Sequence, residues 1–248
     1  MSVGVIVGSN AFNLAAMIGV SGLLAGSVRL SRETVLFEGL VGAAITLIAA
    51  AILLRWLSPP VGAALLACLL VPYLAVVVGG RGALGGQPPA PEPAGEISTD
   101  PTHHLLGLIV LDVGLIVAGS AGMVESALAL GDHWHVSRAV LGVLVLAPLT
   151  SLPNAITGVR LGVAGRGAAL VSETLNSNTI NLGAGVIAPA LFITVAALSA
   201  TAKLQLAWLI GMTLATLVLL ARPGGMRRGS AAVLIGLYFG FAALQLVK

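Results

Sequence analysis

The chain has 248 residues, of which 58% are apolar and only 8% charged, with a mean hydropathy of +1.06. Soluble domains carry roughly 25% charged residues, so this composition excludes a soluble globular protein and indicates helices embedded in a lipid bilayer. The formal charge of +3 comes from 12 basic residues spread over many loops, which gives no basic face for nucleic acid, and the single cysteine, Cys68, leaves no intrachain disulfide.

A crossing needs about 20 residues at a rise of about 1.5 Å each. Residues 3–26 satisfy this; no positive stretch precedes them and Asn10 and Asn13 interrupt the apolar run, which argues against a cleaved leader. A turn with Arg29 and Arg32 leads to a second span, 34–54, with Glu38 near its start, where it reads as an interfacial carboxylate or as a transport residue. Leu57-Ser58-Pro59-Pro60 breaks the helix, and a third span covers 61–78. Residues 80–102, rich in Pro and Gly, read as a flexible linker between two halves, 1–79 and 103–248.

A fourth span, 105–130, carries Asp112 and Glu125, either proton-relay groups or partners of neighbouring helices. His133 and His135 follow it, while His103 and His104 precede it, so the span separates the pairs and opposes a shared metal site. Spans five to eight are expected at 139–163, 168–195, 204–221 and 231–247. Trp56 and Trp134 fall at span ends, as interfacial aromatic residues do. Loops after spans one, three, five and seven hold eight Arg residues, against four basic residues on the other side. The positive-inside rule then puts the linker in the cytoplasm and both chain ends outside.

Within the fifth and sixth spans lies a seam of small polar side chains: Thr150, Ser151 and Asn154 around Pro153, then Ser172-Glu173-Thr174-Leu175-Asn176-Ser177-Asn178-Thr179-Ile180-Asn181. Unsatisfied polar groups in hydrocarbon cost several kcal/mol each. Glu173, Ser177 and Asn181 stand at i, i+4 and i+8, expected on one helix face, and Pro153 is expected to break its helix and release carbonyls. Interrupted helices bearing hydroxyls, amides and free carbonyls are what a dehydrated cation needs; alternatively, the same groups tie helix to helix. The seam has a second copy, because Gly8-Ser9-Asn10-Ala11-Phe12-Asn13-Leu14 aligns without a gap on Asn176-Ser177-Asn178-Thr179-Ile180-Asn181-Leu182. Internal duplication indicates a repeat-built transporter with its site where the repeats meet.

Thr150-Ser151-Leu152-Pro153-Asn154 followed by Asn176-Ser177-Asn178-Thr179-Ile180-Asn181 resembles the second alpha repeat of the sodium/calcium exchanger family, in the calcium:cation antiporter superfamily. Gly8-Ser9-Asn10-Ala11-Phe12-Asn13 resembles the end of its first alpha repeat. The resemblance implies an all-α integral membrane protein of about eight spans in two inverted-repeat half-bundles, with the second alpha repeat over about 139–195. It also implies a non-enzymatic antiporter, without a cofactor, moving Ca²⁺ against Na⁺ or H⁺ by alternating access. The cation would meet Thr150, Ser151, Asn154, Ser177 and Asn181, with Ser9 and Asn13 facing them.

The chain departs from the family pattern at several of these places. Asn154 stands where the family has Glu and Leu149 where it has Gly; Ser172-Glu173 replaces a Gly-Asn pair, and Asn176 replaces the Gly before Ser177. Hard divalent ions favour carboxylates, so Glu173 is a candidate for restoring one charge, and a monovalent-cation/proton antiporter is the rival reading. The family usually has ten spans, and this chain begins within the third. Either its recorded start lies downstream of the true one or it is a degenerate, non-transporting scaffold; retention of Ser151, Pro153, Ser177 and Asn181 favours the former.

Overall fold

The computed structural model describes residues 2–78, 102–134 and 138–246. The linker expected at 80–102 lies outside them, apart from Thr102, as does His135. The elements in chain order are α1 (Ser2–Asn13), a π-helical segment (Leu14–Val20), α2 (Ser21–Ala25), β1 (Ser27–Val28), α3 (Arg32–Leu53), α4 (Pro59–Val78) and α5 (Thr102–Trp134). Then come α6 (Arg138–Leu141), a π segment (Gly142–Leu146), α7 (Ala147–Val163), α8 (Gly167–Leu182), a π segment (Gly183–Ile187), α9 (Ala188–Ala190), α10 (Ala200–Leu220), β2 (Met226–Arg227) and α11 (Arg228–Leu246).

Seven helical runs among the described residues are long and apolar enough to cross a membrane: Val3–Ala25, Arg32–Leu53, Pro59–Val76, Leu106–His133, Gly142–Val163, Ala200–Leu220 and Arg228–Leu246. The eighth expected span is the run from α8 through α9, continuous over Gly167–Ala190 but diluted in hydropathy by its own polar seam. Local chemistry sets where helices begin: Ser31 accepts from the Thr34 N–H at 3.1 Å and caps α3, and Ser199 does the same for Ala202 at 3.2 Å and caps α10.

The first span is the core. Val7, Ala11, Leu14, Met17 and Ile18 are at most 1% exposed, and α1 with its π continuation packs against α7, α8, α10 and α11. Small residues permit the approach: a Cβ on Gly8 would stand 2.9 Å from Ala147 Cβ and 3.2 Å from the Val143 backbone. By contrast, α5 lies to one side, touching α6 and the π segment Gly142–Leu146, and Asp112 and Glu125 on it are exposed.

Loops after the first, fifth and seventh spans converge at one end. Ser27 and Val28 pair antiparallel with Arg227 and Met226, Arg228 Nε donates to Leu23 O at 3.1 Å, and Gly167 abuts the Arg29 carbonyl. The loops assigned to one membrane side by their Arg content are therefore physically adjacent.

One local expectation is corrected. The helix does not break at Pro153: α7 runs unbroken from Ala147 to Val163. The widening falls earlier, in the π segment Gly142–Leu146 ahead of Pro148, and again in Gly183–Ile187 ahead of Pro189. A proline deletes the N–H that an α-helical carbonyl four residues back would accept, and a looser turn just before it accommodates that loss.

Candidate cation site

α1 and α8 cross antiparallel through the middle of the bundle: a Cβ on Gly185 would meet Ile6 at 2.6 Å, while Asn10 lies against Asn178. The two aligned motifs thus face each other, and their hydrogen bonds exchange under the alignment. Asn10 Nδ2 donates to Asn178 O at 3.3 Å, and Asn178 Nδ2 to Asn10 O at 3.2 Å. Asn13 Nδ2 donates to Asn178 Oδ1 at 2.9 Å, and Asn181 Nδ2 to Asn10 Oδ1 at 2.8 Å. A local two-fold relation between the repeats produces this reciprocity, as in an isologous contact.

α7 adds a third wall, on one side only. Ser9 Oγ donates to Ala147 O at 3.3 Å and lies 3.3 Å from Thr150 Oγ1; Thr150 Oγ1 in turn shares its one hydrogen between Leu146 O and Ala147 O, at 2.9 and 3.0 Å. Asn154 Nδ2 donates to Ser177 Oγ at 2.7 Å, and Asn13 Nδ2 approaches the same oxygen at 3.3 Å.

Counting acceptors shows what is left over. Asn10 Oδ1 and Asn178 Oδ1 are each used by an amide N–H, whereas Asn13 Oδ1 is buried without a partner, the only such side-chain atom among the described residues. Leaving a buried acceptor unmet costs about 1–3 kcal/mol. Asn181 and Asn154 likewise spend their N–H groups on protein acceptors, which directs their amide oxygens away from those contacts. Three neutral amide oxygens thus remain for a ligand. Ser177 Oγ, already receiving two N–H groups, can turn to a cation only if one of those amides rotates.

The structure joins Ser9, Asn13, Thr150, Asn154, Ser177 and Asn181 in this hydrogen-bonded seam. Ser151 is also inside the bundle, 2% exposed, but makes none of the bonds that hold the seam together. Glu173 is not brought in; it is exposed on α8. Each four-residue step on a helix of about 3.6 residues per turn advances the face by about 40°, so the two steps from Asn181 back to Glu173 carry it out of the interface. No carboxylate belongs to the seam, and among the described residues no three His, Cys, Asp or Glu side chains group as a metal site. His103 and His104 stand at the opposite end of α5 from His133.

Sequence reasoning missed the clasping role of Asn10 and Asn178, although their alignment in the duplicated motif marked them as equivalent. It also missed a second polar cluster: Glu38, 8% exposed, receives Ser172 Oγ at 2.8 Å and lies 3.0 Å from Tyr73 Oη, which is 2.9 Å from Asn176 Oδ1.

The family model described as sodium/calcium exchanger protein matches residues 104–247. No curated protein matches the chain. Among solved structures, the sodium-calcium exchanger NCX_Mj soaked with 2.5 mM Na⁺ and 0.1 mM Ca²⁺ is similar at a TM-score of 0.66 and 22% identity, over 98% of this chain and 75% of that one. Native YfkE is similar at a TM-score of 0.69 and 14% identity, over 99% of this chain and 75% of that one. These likenesses establish a shared all-helical fold, and the second alpha-repeat motif falls inside the family match.

Proposed function

Because the chain belongs to the sodium/calcium exchanger family, we propose that it is a secondary-active cation antiporter, carrying Ca²⁺ or another cation against Na⁺ or H⁺ by alternating access, with the exchange site in the seam between α1, α7 and α8. The observation that carries this reading is the buried, unpartnered Asn13 Oδ1 at the junction of the duplicated motifs. A buried oxygen without a protein donor is poised for an electropositive ligand, and Asn154, whose Nδ2 meets the same Ser177 Oγ as Asn13 Nδ2, brings a second amide close to it.

A cavity of about 410 Å³ is lined by Val3, Gly4, Gly185, Pro189, Ser199 and Gln205 among others. Gly185 lies one turn beyond Asn181, and Gly4 one turn before Gly8, so this cavity opens at one end of the α1–α8 crossing, a turn away from the seam residues. The π segments that begin right after Asn13 and Leu182 are the natural places for helices to re-register as that opening closes.

A second reading is favoured by a specific observation: every seam oxygen is neutral. Amides and hydroxyls suit a monovalent cation better than Ca²⁺, which usually draws carboxylates. Reconstituted vesicles decide between them. Na⁺- or H⁺-gradient-driven Ca²⁺ uptake is expected for calcium exchange, and gradient-driven Na⁺ or K⁺ flux without Ca²⁺ competition for the monovalent form. A folded, inserted protein that moves none of these cations would be a scaffold, and the antiport reading would be rejected.

A further inference from the structure

The cavity at the end of the α1–α8 crossing is apolar on most sides, with Val3, Leu53, Val186 and Leu198 among its walls. No charged side chain lines it among the described residues. Its polar walls are Thr194 and Ser199, which are exposed, Thr201, which is half-buried, and Gln205 on α10. Gln205 differs from the other three: its side chain is 4% exposed, so whatever it presents to the cavity is set deep in the protein.

A chain of bonds fixes which way that amide faces. Gln205 Nε2 donates to Gln245 Oε1 at 2.6 Å, and Gln245 Nε2 donates to Phe241 O at 3.1 Å. A backbone carbonyl can only accept, so Gln245 turns its nitrogen to Phe241 and its oxygen to Gln205. Turning over either amide, or both, sets oxygen against oxygen. Gln205 Oε1 is thereby left over, 3.8 Å from where a Cβ on Gly4 would stand, and no donor among the described residues meets it. Asn13 Oδ1 is the one fully enclosed side-chain atom without a partner among the described residues. Gln205 Oε1 therefore opens on free space, and the space beside it is this cavity.

We propose that this cavity is a second ligand site, for an uncharged amphiphile whose apolar body fills the walls and whose hydroxyl or amide N–H donates to Gln205 Oε1. A deep acceptor without a donor favours a ligand that brings one. Uncharged, apolar walls favour an apolar body and oppose an ion; Ca²⁺ takes about six to eight oxygens, where this wall fixes one. The volume of about 410 Å³ falls in the range of about 300–1,000 Å³ typical of small-molecule sites. The ligand touches α1 at Val3 and Gly4 and the π segment after α8 at Gly185 and Val186, so it braces the two repeats against each other one turn from the seam. Its action as a brake on exchange rests on the antiport reading, whereas its binding does not.

The test uses the purified 248-residue chain and two probes of one shape, para-bromobenzyl alcohol and para-bromotoluene, which differ in the hydroxyl donor. Ligand-observed NMR in detergent, with protein-free micelles as the blank, measures affinity, and bromine anomalous diffraction from soaked crystals locates the probe. The alcohol is expected in the cavity with its hydroxyl on Gln205, and the toluene is expected to bind about tenfold more weakly, the worth of about one hydrogen bond. Gln205→Leu is expected to bind both probes equally. Ala202→Leu, which fills the cavity from α10 and leaves the Gln205–Gln245 pair intact, is expected to bind neither. Equal affinities in the wild type, or a bromine peak without saturable binding in solution, overturns the site. In vesicles, saturating alcohol is expected to slow gradient-driven flux of the wild type and not of Ala202→Leu. Unslowed flux overturns the brake, whereas saturable alcohol binding to a protein that carries no flux in its absence overturns the antiport reading alone.

Discussion

Asn10 and Asn178 each donate a side-chain N–H to the other's backbone carbonyl, at 3.3 and 3.2 Å. Two residues 168 positions apart in sequence thus form one reciprocal clasp at the crossing of α1 and α8. Their amide oxygens are spent on Asn13 and Asn181, so the clasp holds the repeats together and leaves the outer asparagines to present oxygen.

Removing one half of the clasp strands buried polar groups on the other. Asn10→Ala and Asn178→Ala are each expected to lower stability by about 1–3 kcal/mol. The double variant should lose less than the sum, by an interaction energy of about 0.5–3 kcal/mol. Denaturation in detergent measures the cycle, and strict additivity would show that the clasp is energetically idle.

The close crossing of α1 on the π segment before α7 depends on Gly8. Gly8→Ala places a methyl 2.9 Å from Ala147 Cβ and 3.2 Å from the Val143 backbone, where backbone cannot yield as a flexible side chain does. A loss of about 1–3 kcal/mol is expected. Gly211→Ala, with nothing within 4 Å of the added Cβ, is expected to be neutral or slightly stabilising, and thermal unfolding of the pair checks the contrast.

Asn154 controls the charge of the seam. Asn154→Glu exchanges an N–H donor to Ser177 for a carboxylate, which favours divalent ions. The ratio of Ca²⁺ to Na⁺ affinity is expected to rise at least about tenfold, or about 1.4 kcal/mol. Competition binding on the purified protein reads this ratio, and an unchanged ratio would place the cation elsewhere.

The convergence of the loops after spans one, five and seven makes a topological prediction. In a Cys68→Ser background, single cysteines at Arg29, Ala164 and Arg222 are expected to react with an impermeant thiol reagent from the cytoplasmic side alone. A cysteine at Ser58 is expected to react from the opposite side. Labelling of intact cells and of inverted vesicles separates the two.

The spans and the duplicated motif were legible because both are local patterns: apolar runs of sufficient length, and Ser-Asn-x-x-Asn-Leu written twice. The facing of Asn13 with Ser177, and of Ser9 with Thr150, followed from the duplication. Three features were not legible. Pro153 breaks helices in isolation, but α7 absorbs it and the widening appears ahead of Pro148, where the missing proline N–H is accommodated by a looser turn. Glu173 shares a helical repeat with Ser177 and Asn181, yet drift of the face leaves it exposed. Glu38 reads as interfacial until Tyr73 and Ser172, 35 and 134 residues away, arrive as its partners.

The most direct measurement is anomalous diffraction from crystals of the 248-residue chain soaked in Rb⁺ and, separately, in Sr²⁺, as heavy substitutes for monovalent and divalent cargo. The expected result is a peak within coordination distance of Asn13 Oδ1, between α1 and α8, that disappears in Asn181→Ala. Crystals that diffract well with no peak in that seam, or with Asn13 Oδ1 closed off by a protein donor, would contradict cation exchange at the junction of the repeats.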